Sequence, residues 1–409
     1  MRGRLRARTP QLARAAGLRA LSPPVDAKAA ARETIERSGA TLIALSHRIH
    51  ARPELAFEEE RAAGWLTEAL DAAGFAVTSR VADLPTAFVA RSGSGPLHVA
   101  ILAEYDALPG IGHACGHNMI AAMAVGAAIG AARLADAVGL RVTVVGTPAE
   151  ESGGGKILLL ERGVFEGVHA ALMAHPAPVD VVAPPMLAWS QFEVRYTGKA
   201  AHASAFPEQG INAADALTVA QTAIGLLRQH LRPGDRVHGI VTRGGEAPNV
   251  VPAHTPATYL VRARDLAHLD DVRTRVLRCF EAGAMATGAT LAVTALGEPY
   301  ADVRHDAELA AVYRRNAEAL GRYFPDVGPL LERAAGSTDL GNVSQVLPAI
   351  HPAIGIGSFP AVNHQPEFAA HCVTELADTA VLQGAIALAW TAVDLATDAT
   401  LSARLRGAP

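Results

Sequence analysis

"LHVAILAEYDA" (Leu97–Ala107), "LRVTVVGTPAEES" (Leu140–Ser152) and "VHAALMAHPAP" (Val168–Pro178) are short apolar runs, rich in β-branched residues, each ending in polar or charged ones. Helical stretches separate them, the pattern of a mainly parallel sheet sandwiched by helices. In such a sheet the ligand crevice lies outside the carboxyl ends of the strands. That rule sends Asp106, Glu150, Glu151 and His175 to one rim.

Upstream, "AKAAARETIERSGATLIALSHRIHARPELAFEEERAAGWLTEALDAAG" reads as two helices joined near Pro53 and stopped by Gly74. Residues 1–27 are rich in Arg, carry no acid before Asp26 and lack the apolar core of a secretory signal, and read as a disordered leader. Downstream, composition changes after "PPMLAWS". "FEVRYTGKAAHAS", a helix from about Asn212 to His230, "VHGIVTRGGEAPNVVP", "TPATYLVRARD", a helix over Leu269 to Thr287 and "TLAVTALG" follow. Strand, helix, strand, strand, helix, strand is the order of a ferredoxin-like α+β unit. Residues 188–298 therefore read as an inserted domain, and 28–187 with 299–400 as a discontinuous catalytic α/β domain.

The 409 residues are 50% hydrophobic with a formal charge of −4, enough for two domains and without a basic stripe, which argues against nucleic acid as partner. Cys115, Cys279 and Cys372 form no repeated pair, which fits neither a disulfide framework nor a zinc knuckle and suits a reducing cytoplasm. The Ala-rich runs at Ala121–Ala132 and Gly384–Val393 are broken by Gly or bounded by charge, so no membrane span is expected.

Between the first two strands lies "GIGHACGHN". A thiolate and an imidazole two residues apart, Cys115 and His117, reach one ion only where the chain is extended or turning, as Gly112 and Gly116 permit. Glu150 and Glu151 point different ways, so one can bind metal while the other moves protons. With His175 and the remote His364 of "NHQPEF", the set is Cys, His, Glu, His, His. Each member alone has a plainer explanation: a core histidine, a buried cysteine, an acidic helix cap in "AEES". Their joint position on one rim is what favours a site.

The residues carry a resemblance. From "HARPELAFEEE" through "EYDALPGIGHACGHNMI", "TPAEESGGGK", "MAHP", "GKAAHASAFPEQGINAADA", "GGEAPNVVP" and "GSTDLGNVS" to "NHQPEF", the chain resembles the metal-dependent aminoacylase and carboxypeptidase family of amidohydrolases. It is most similar to the branch of auxin-conjugate, hippurate and aminobenzoyl-glutamate hydrolases, and within it to members acting on β-alanyl or γ-aminobutyryl dipeptides. The resemblance implies a zinc-peptidase-like catalytic domain and two divalent metal ions held by Cys115, His117, Glu151, His175 and His364, with Glu150 as general base. It implies that His202 is donated across a homodimer formed by the inserted domain to stabilise the oxyanion, and that Asn249 and Arg262 hold the free carboxylate of the substrate. His113 is left outside the ligand set, as a residue shaping the turn or lining the pocket. Glu104 and Asn118 depart from the family pattern, which often has His at the first position and, in auxin-conjugate and hippurate hydrolases, Asp at the second.

The expected activity is therefore two-metal hydrolysis of small N-acyl amino acids or dipeptides by a metal-activated water, with zinc, manganese or cobalt suited to a mixed sulfur, nitrogen and oxygen set. Two alternatives stand beside it: a non-catalytic metal-binding or assembly protein on the same fold, and an amidase using Cys115 as nucleophile.

Overall fold

Leu97–Ala103, buried at every residue, is an inner strand of the larger sheet in this computed structural model, which describes residues 24–328 and 335–407. In chain order the strands are β1 Ala76–Ser79, β2 Phe88–Ser92, β3 Leu97–Ala103, β4 Leu140–Gly146, β5 Ala170–Leu172, β6 His175–Ala177, β7 Ala188–Thr197, β8 Arg236–Val241, β9 His254–Ala263, β10 Thr290–Ala295, β11 Ala349–Ile350 and β12 Ala353–Gly355. The six-stranded sheet runs β1-β2-β4-β3-β5-β11. Its pairs β4/β3, β3/β5 and β5/β11 are parallel, while β1/β2 and β2/β4 are antiparallel. The sheet is thus the mixed, mainly parallel α/β layer expected, with an antiparallel margin that period and composition around Phe88 do not signal. Beyond it, β6 and β12 form a parallel two-stranded ribbon starting at His175.

Helix His117–Ala132 leaves the turn after β3 and is buried almost all round. Its small residues permit that: a Cβ on Gly126 would stand 2.8 Å from a Leu42 methyl and 2.9 Å from the Ala385 Cβ, so helices Gly39–His50 and Glu375–Thr397 pack on it at close range. Glu375–Thr397 spans 23 residues and is apolar enough to cross a membrane, although most of it is buried in the protein core. The apolar stretch runs further than the Gly384–Val393 segment read from sequence, because its charged residues lie near the helix ends.

Three details differ from expectation. The N-terminal region holds three helices, Pro24–Arg37, Gly39–His50 and Glu60–Ala72, because Ser38 and Gly39, poor helix formers, interrupt what reads as one. Of the leader assigned to 1–27, residues 1–23 lie outside the described residues, and a helix already begins at Pro24, since proline's missing N–H costs nothing in a first turn. At the other end a helix Ala399–Arg406, capped by the Asp398 side chain, carries the catalytic layer past residue 400.

Residues 188–295 build a separate antiparallel sheet ordered β10-β7-β9-β8, with helices Ala213–Leu227 and Leu266–Thr287 covering one face and a core of their own. Its outer strands, β8 and β10, are mostly exposed. Entry and exit lie side by side: Trp189 and Tyr300 exchange two backbone hydrogen bonds, each 3.0 Å.

The loop after β4 turns back under its own strand end through Gly153, Gly154 and Gly155. A Cβ on Gly155 would lie 1.8 Å from the Pro148 carbonyl oxygen. Gly155→Ala should therefore push Pro148 away and cost about 1–3 kcal/mol, as overpacking does. A thermal melt unchanged from wild type would contradict this close approach.

Candidate active site

Asp106 follows β3, Glu150 and Glu151 follow β4, and His175 follows β5, so three parallel strands deliver four of the side chains to one rim. The fifth and sixth come from the turn "GIGHACGHN". Gly110, Gly112 and Gly116 all have positive φ, and a Cβ on Gly116 would stand 2.9 Å from the Pro176 ring. Only glycine lets the chain pass so close to the His175–Pro176 strand, and this brings Cys115 against His175, with Sγ 3.4 Å from Nε2.

His117 opens its helix fully buried. Its Nδ1 faces the Asp106 carboxylate at 3.0 Å and the Asp106 carbonyl at 2.9 Å, which fixes the ring with Nε2 toward the other donors. The second Asp106 oxygen accepts the Glu151 backbone N–H at 3.0 Å. His175 is oriented by Nδ1 against the Pro176 carbonyl at 2.8 Å. His364, in a left-handed conformation with φ 69, reaches Glu151 Oε2 at 3.5 Å from the solvent side.

The donor atoms fall into overlapping trios, each within 4.8 Å: Cys115, His117 and His175; Cys115, Glu151 and His364; His117, Glu150 and Glu151. Cys115 belongs to two of them. His117 Nε2 and Glu151 Oε1, 3.8 Å apart, are buried without a hydrogen-bond partner. Two orphaned polar atoms facing each other among sulfur, nitrogen and oxygen donors are what a divalent cation would satisfy, so the residues fit a metal. Charge agrees. Burial, with the Glu151 charge, pushes the Cys115 thiol well above its ordinary range, and burial raises Glu151. Burial lowers His175 to about 4, which keeps the imidazole neutral and able to ligate. A cation among them would favour the thiolate and carboxylates.

Glu150, in the third trio alone of those three, has its Oε2 3.8 Å from His117 Nε2 and its backbone carbonyl accepting the Tyr300 hydroxyl at 2.7 Å. Burial, then the charges of Glu104, Glu151 and Asp339, pushes its carboxyl well above the usual range. Below it lies a group not singled out from sequence: fully buried Lys156, with Nζ 2.6 Å from Glu104 and 2.5 Å from Asp339. Burial opposes the ammonium, but Asp339 and Glu104 more than offset it and hold Lys156 charged. Glu104, whose other oxygen is 3.4 Å from His117 Nε2, is thus paired with a lysine.

His113 is buried and in none of the trios. Burial lowers its pKa to about 3, and its ring lies 6.2 Å from that of His50. In the inserted unit, Arg262 is half-buried and donates to the Ser337 hydroxyl of the catalytic layer at 2.8 Å, while Arg264 is exposed beside Asp265. His202 and Asn249 are exposed on adjoining segments, where Ala203 N–H donates to the Asn249 carbonyl at 3.0 Å. Neither makes a hydrogen bond with the donor trios among the described residues. The His202 Nδ1 accepts the Ser204 and Ala205 N–H groups at 3.3 and 3.2 Å, leaving Nε2 outward. The contributions of Asp106 to orientation, and of Lys156, Asp339 and Tyr300, are not readable from sequence. Only the polarity of Lys156 after three glycines hints at one.

A strand-end cluster of thiol, imidazole and carboxylate on an α/β sheet, with a second, adjacent carboxylate, defines a metal-dependent hydrolase. Residues 100–388 match the profile of "Peptidase family M20/M25/M40", and the chain belongs to that family. It is 41% identical over 383 residues to the Xaa-Arg dipeptidase of Mus musculus (90% of this chain, 88% of that protein) and 39% identical to that of Homo sapiens (89% and 87%). One of the p-aminobenzoyl-glutamate hydrolase chains of Escherichia coli is 37% identical, across 60% of this chain and 56% of that one. Among solved structures, a dinuclear metal-binding M20 peptidase of Bacillus subtilis superposes with a TM-score of 0.67 at 22% identity, over 89% of this chain and 99% of that one. The chain is a metal-dependent hydrolase of peptide or amide bonds in small substrates.

Asp106 orients one donor and anchors the loop of another. Asp106→Asn should leave the fold intact and weaken metal binding about 10–100-fold, the usual effect of removing such a partner. Competition with a chromogenic chelator measures it, and affinity equal to wild type would refute the role.

Proposed function

We propose that the protein is a two-metal dipeptidase that removes a C-terminal amino acid, preferably a basic one, from a small dipeptide or N-acyl amino acid. The observation that carries this is the pair of donor trios sharing the Cys115 sulfur, with the Glu150 carboxylate beside them, 3.8 Å from His117 Nε2. In this reading Cys115, His117, His175, Glu151 and His364 would hold the two ions. The named activity of the mouse and human relatives, which align over most of their length, supports the choice of a basic C-terminal residue.

Two bound cations would supply an acidified water and polarise the scissile carbonyl. Glu150, whose buried carboxyl already has a raised proton affinity, takes the water's proton and delivers it to the departing amine, a poor leaving group unless protonated. Arg262, at the mouth on Ser337, offers a planar fork for the substrate carboxylate, and Asn249 an amide for the same group. The outward Nε2 of His202 stabilises the oxyanion of a partner subunit in a homodimer joined through the inserted unit.

One observation favours a second reading, since Cys115 and His175 stand at the spacing of a thiol nucleophile and its base. Their protonation opposes it: the thiol is pushed up and the imidazole down, against a thiolate–imidazolium pair.

Glu150→Gln should reduce turnover about 10²–10⁴-fold, the range for a lost general base, while still binding metal. Exhaustive chelation should abolish activity reversibly, and activity that survives it but not thiol alkylation would establish the cysteine mechanism instead. A panel of dipeptides ending in Arg, Lys, Glu or Leu, with aminobenzoyl-glutamate and N-acetyl amino acids, should rank the basic dipeptides first by kcat/KM. A higher value for aminobenzoyl-glutamate would overturn the substrate assignment. Mixing inactive His202→Ala and Glu150→Gln chains should restore activity in heterodimers, and heterodimers without activity would exclude sharing.

A further inference from the structure

A fourth group, of carboxylates alone, adjoins the donor trios. Oxygens of Glu104, Glu150 and Asp339 come within 4.8 Å of one another, and all three residues are buried. Three oxygen donors in a closed space are a familiar cradle for a hard divalent cation. Here the space holds an ammonium. Lys156 Nζ lies 2.6 Å from Glu104 Oε1 and 2.5 Å from Asp339 Oδ1, and its backbone N–H donates to the other Asp339 oxygen at 2.8 Å. Asp339 therefore grips the same residue at both main chain and side chain. Lys156 starts in the first turn of helix Gly155–Glu161, so its ammonium is tethered to the glycine loop that also carries Glu150.

We propose that Lys156 is a built-in cation, closing the Glu104–Glu150–Asp339 cluster to metal and so keeping Glu150 from being drawn to a further ion there. A single positive charge on a short tether satisfies two carboxylates without offering Glu150 a coordination bond. An ion in the same space would take Glu150 as a ligand and remove it from proton transfer. Lys156 is thus a positioning residue that acts through Glu104 and Asp339. The kinetic consequence rests on the role proposed above for Glu150, whereas the number of ions bound does not.

The test compares the full-length protein with Lys156→Met and Lys156→Arg. Each is stripped with chelator, dialysed against manganese(II) and counted for metal per chain by plasma mass spectrometry. Lys156→Met should hold one ion more than wild type, and Lys156→Arg the wild-type number. With alanyl-arginine as substrate, kcat of Lys156→Met should fall about a hundredfold, as for loss of a general base, with KM little changed and kcat largely rescued in Lys156→Arg. A folded Lys156→Met with the wild-type ion count, or an equal gain in Lys156→Arg, overturns the proposal. If Lys156→Met is unfolded without metal, refolding on addition of manganese, followed by circular dichroism, supports it, and failure to refold at any manganese concentration overturns it. A wild-type protein inactive on alanyl-arginine would strike the substrate assignment and leave the ion count as the deciding measurement.

Discussion

The Asp106 carboxylate is the joint on which the active site turns. One oxygen faces His117 Nδ1 and the other accepts the Glu151 N–H, so a single buried group ties the helix after β3 to the loop after β4. Hydrogen bonds to a carboxylate in a dry interior are short of alternatives, and breaking either would leave a charge without water to receive it. Burial would raise the pKa of Asp106, but His117 outweighs it and holds the carboxyl below its usual value, so the joint stays ionised. The orientation of both donor side chains follows.

Around that joint the protein accumulates buried charge that no ordinary core would accept. Glu104, Asp106, His117, Lys156 and Asp339 are almost wholly shielded from solvent, with Glu150 nearly so. Buried ion pairs seldom add stability over apolar packing, because desolvation consumes most of the attraction. Their presence is better understood as a cost borne for function, with stability supplied elsewhere by the close-packed helices His117–Ala132 and Glu375–Thr397.

The inserted unit is joined to this centre at more than its covalent links. Trp189 and Tyr300 pair across the two connections, and the Tyr300 hydroxyl holds the Glu150 carbonyl. From the same unit Arg262 reaches Ser337, two residues before Asp339, while the Leu187 N–H donates to the Gly336 carbonyl at 2.8 Å. Arg262 and Glu150 are thereby referred to one short junction. A shift of the inserted unit would be felt at both residues.

Much of this is legible in the sequence. Apolar runs mark β3, β4 and β5, and the change of pattern after Ser190 marks a second sheet, because burial on one or both faces constrains residue type over many consecutive positions. The donors at the strand ends are legible for the same reason: the strand positions them, and thiol, imidazole and carboxylate are chemically conspicuous. The antiparallel β1–β2 margin is not, since short strands with mixed exposure leave a weak pattern. Nor are the partners of Lys156: Glu104 lies 52 positions before it and Asp339 183 after it, and nothing local distinguishes a lysine destined for burial from one that will be solvated. The sequence by itself determined which chemistry was available and on which strands. Only the tertiary structure decided which charges face each other, because pairing in a low-dielectric interior depends on distances between segments remote in the chain.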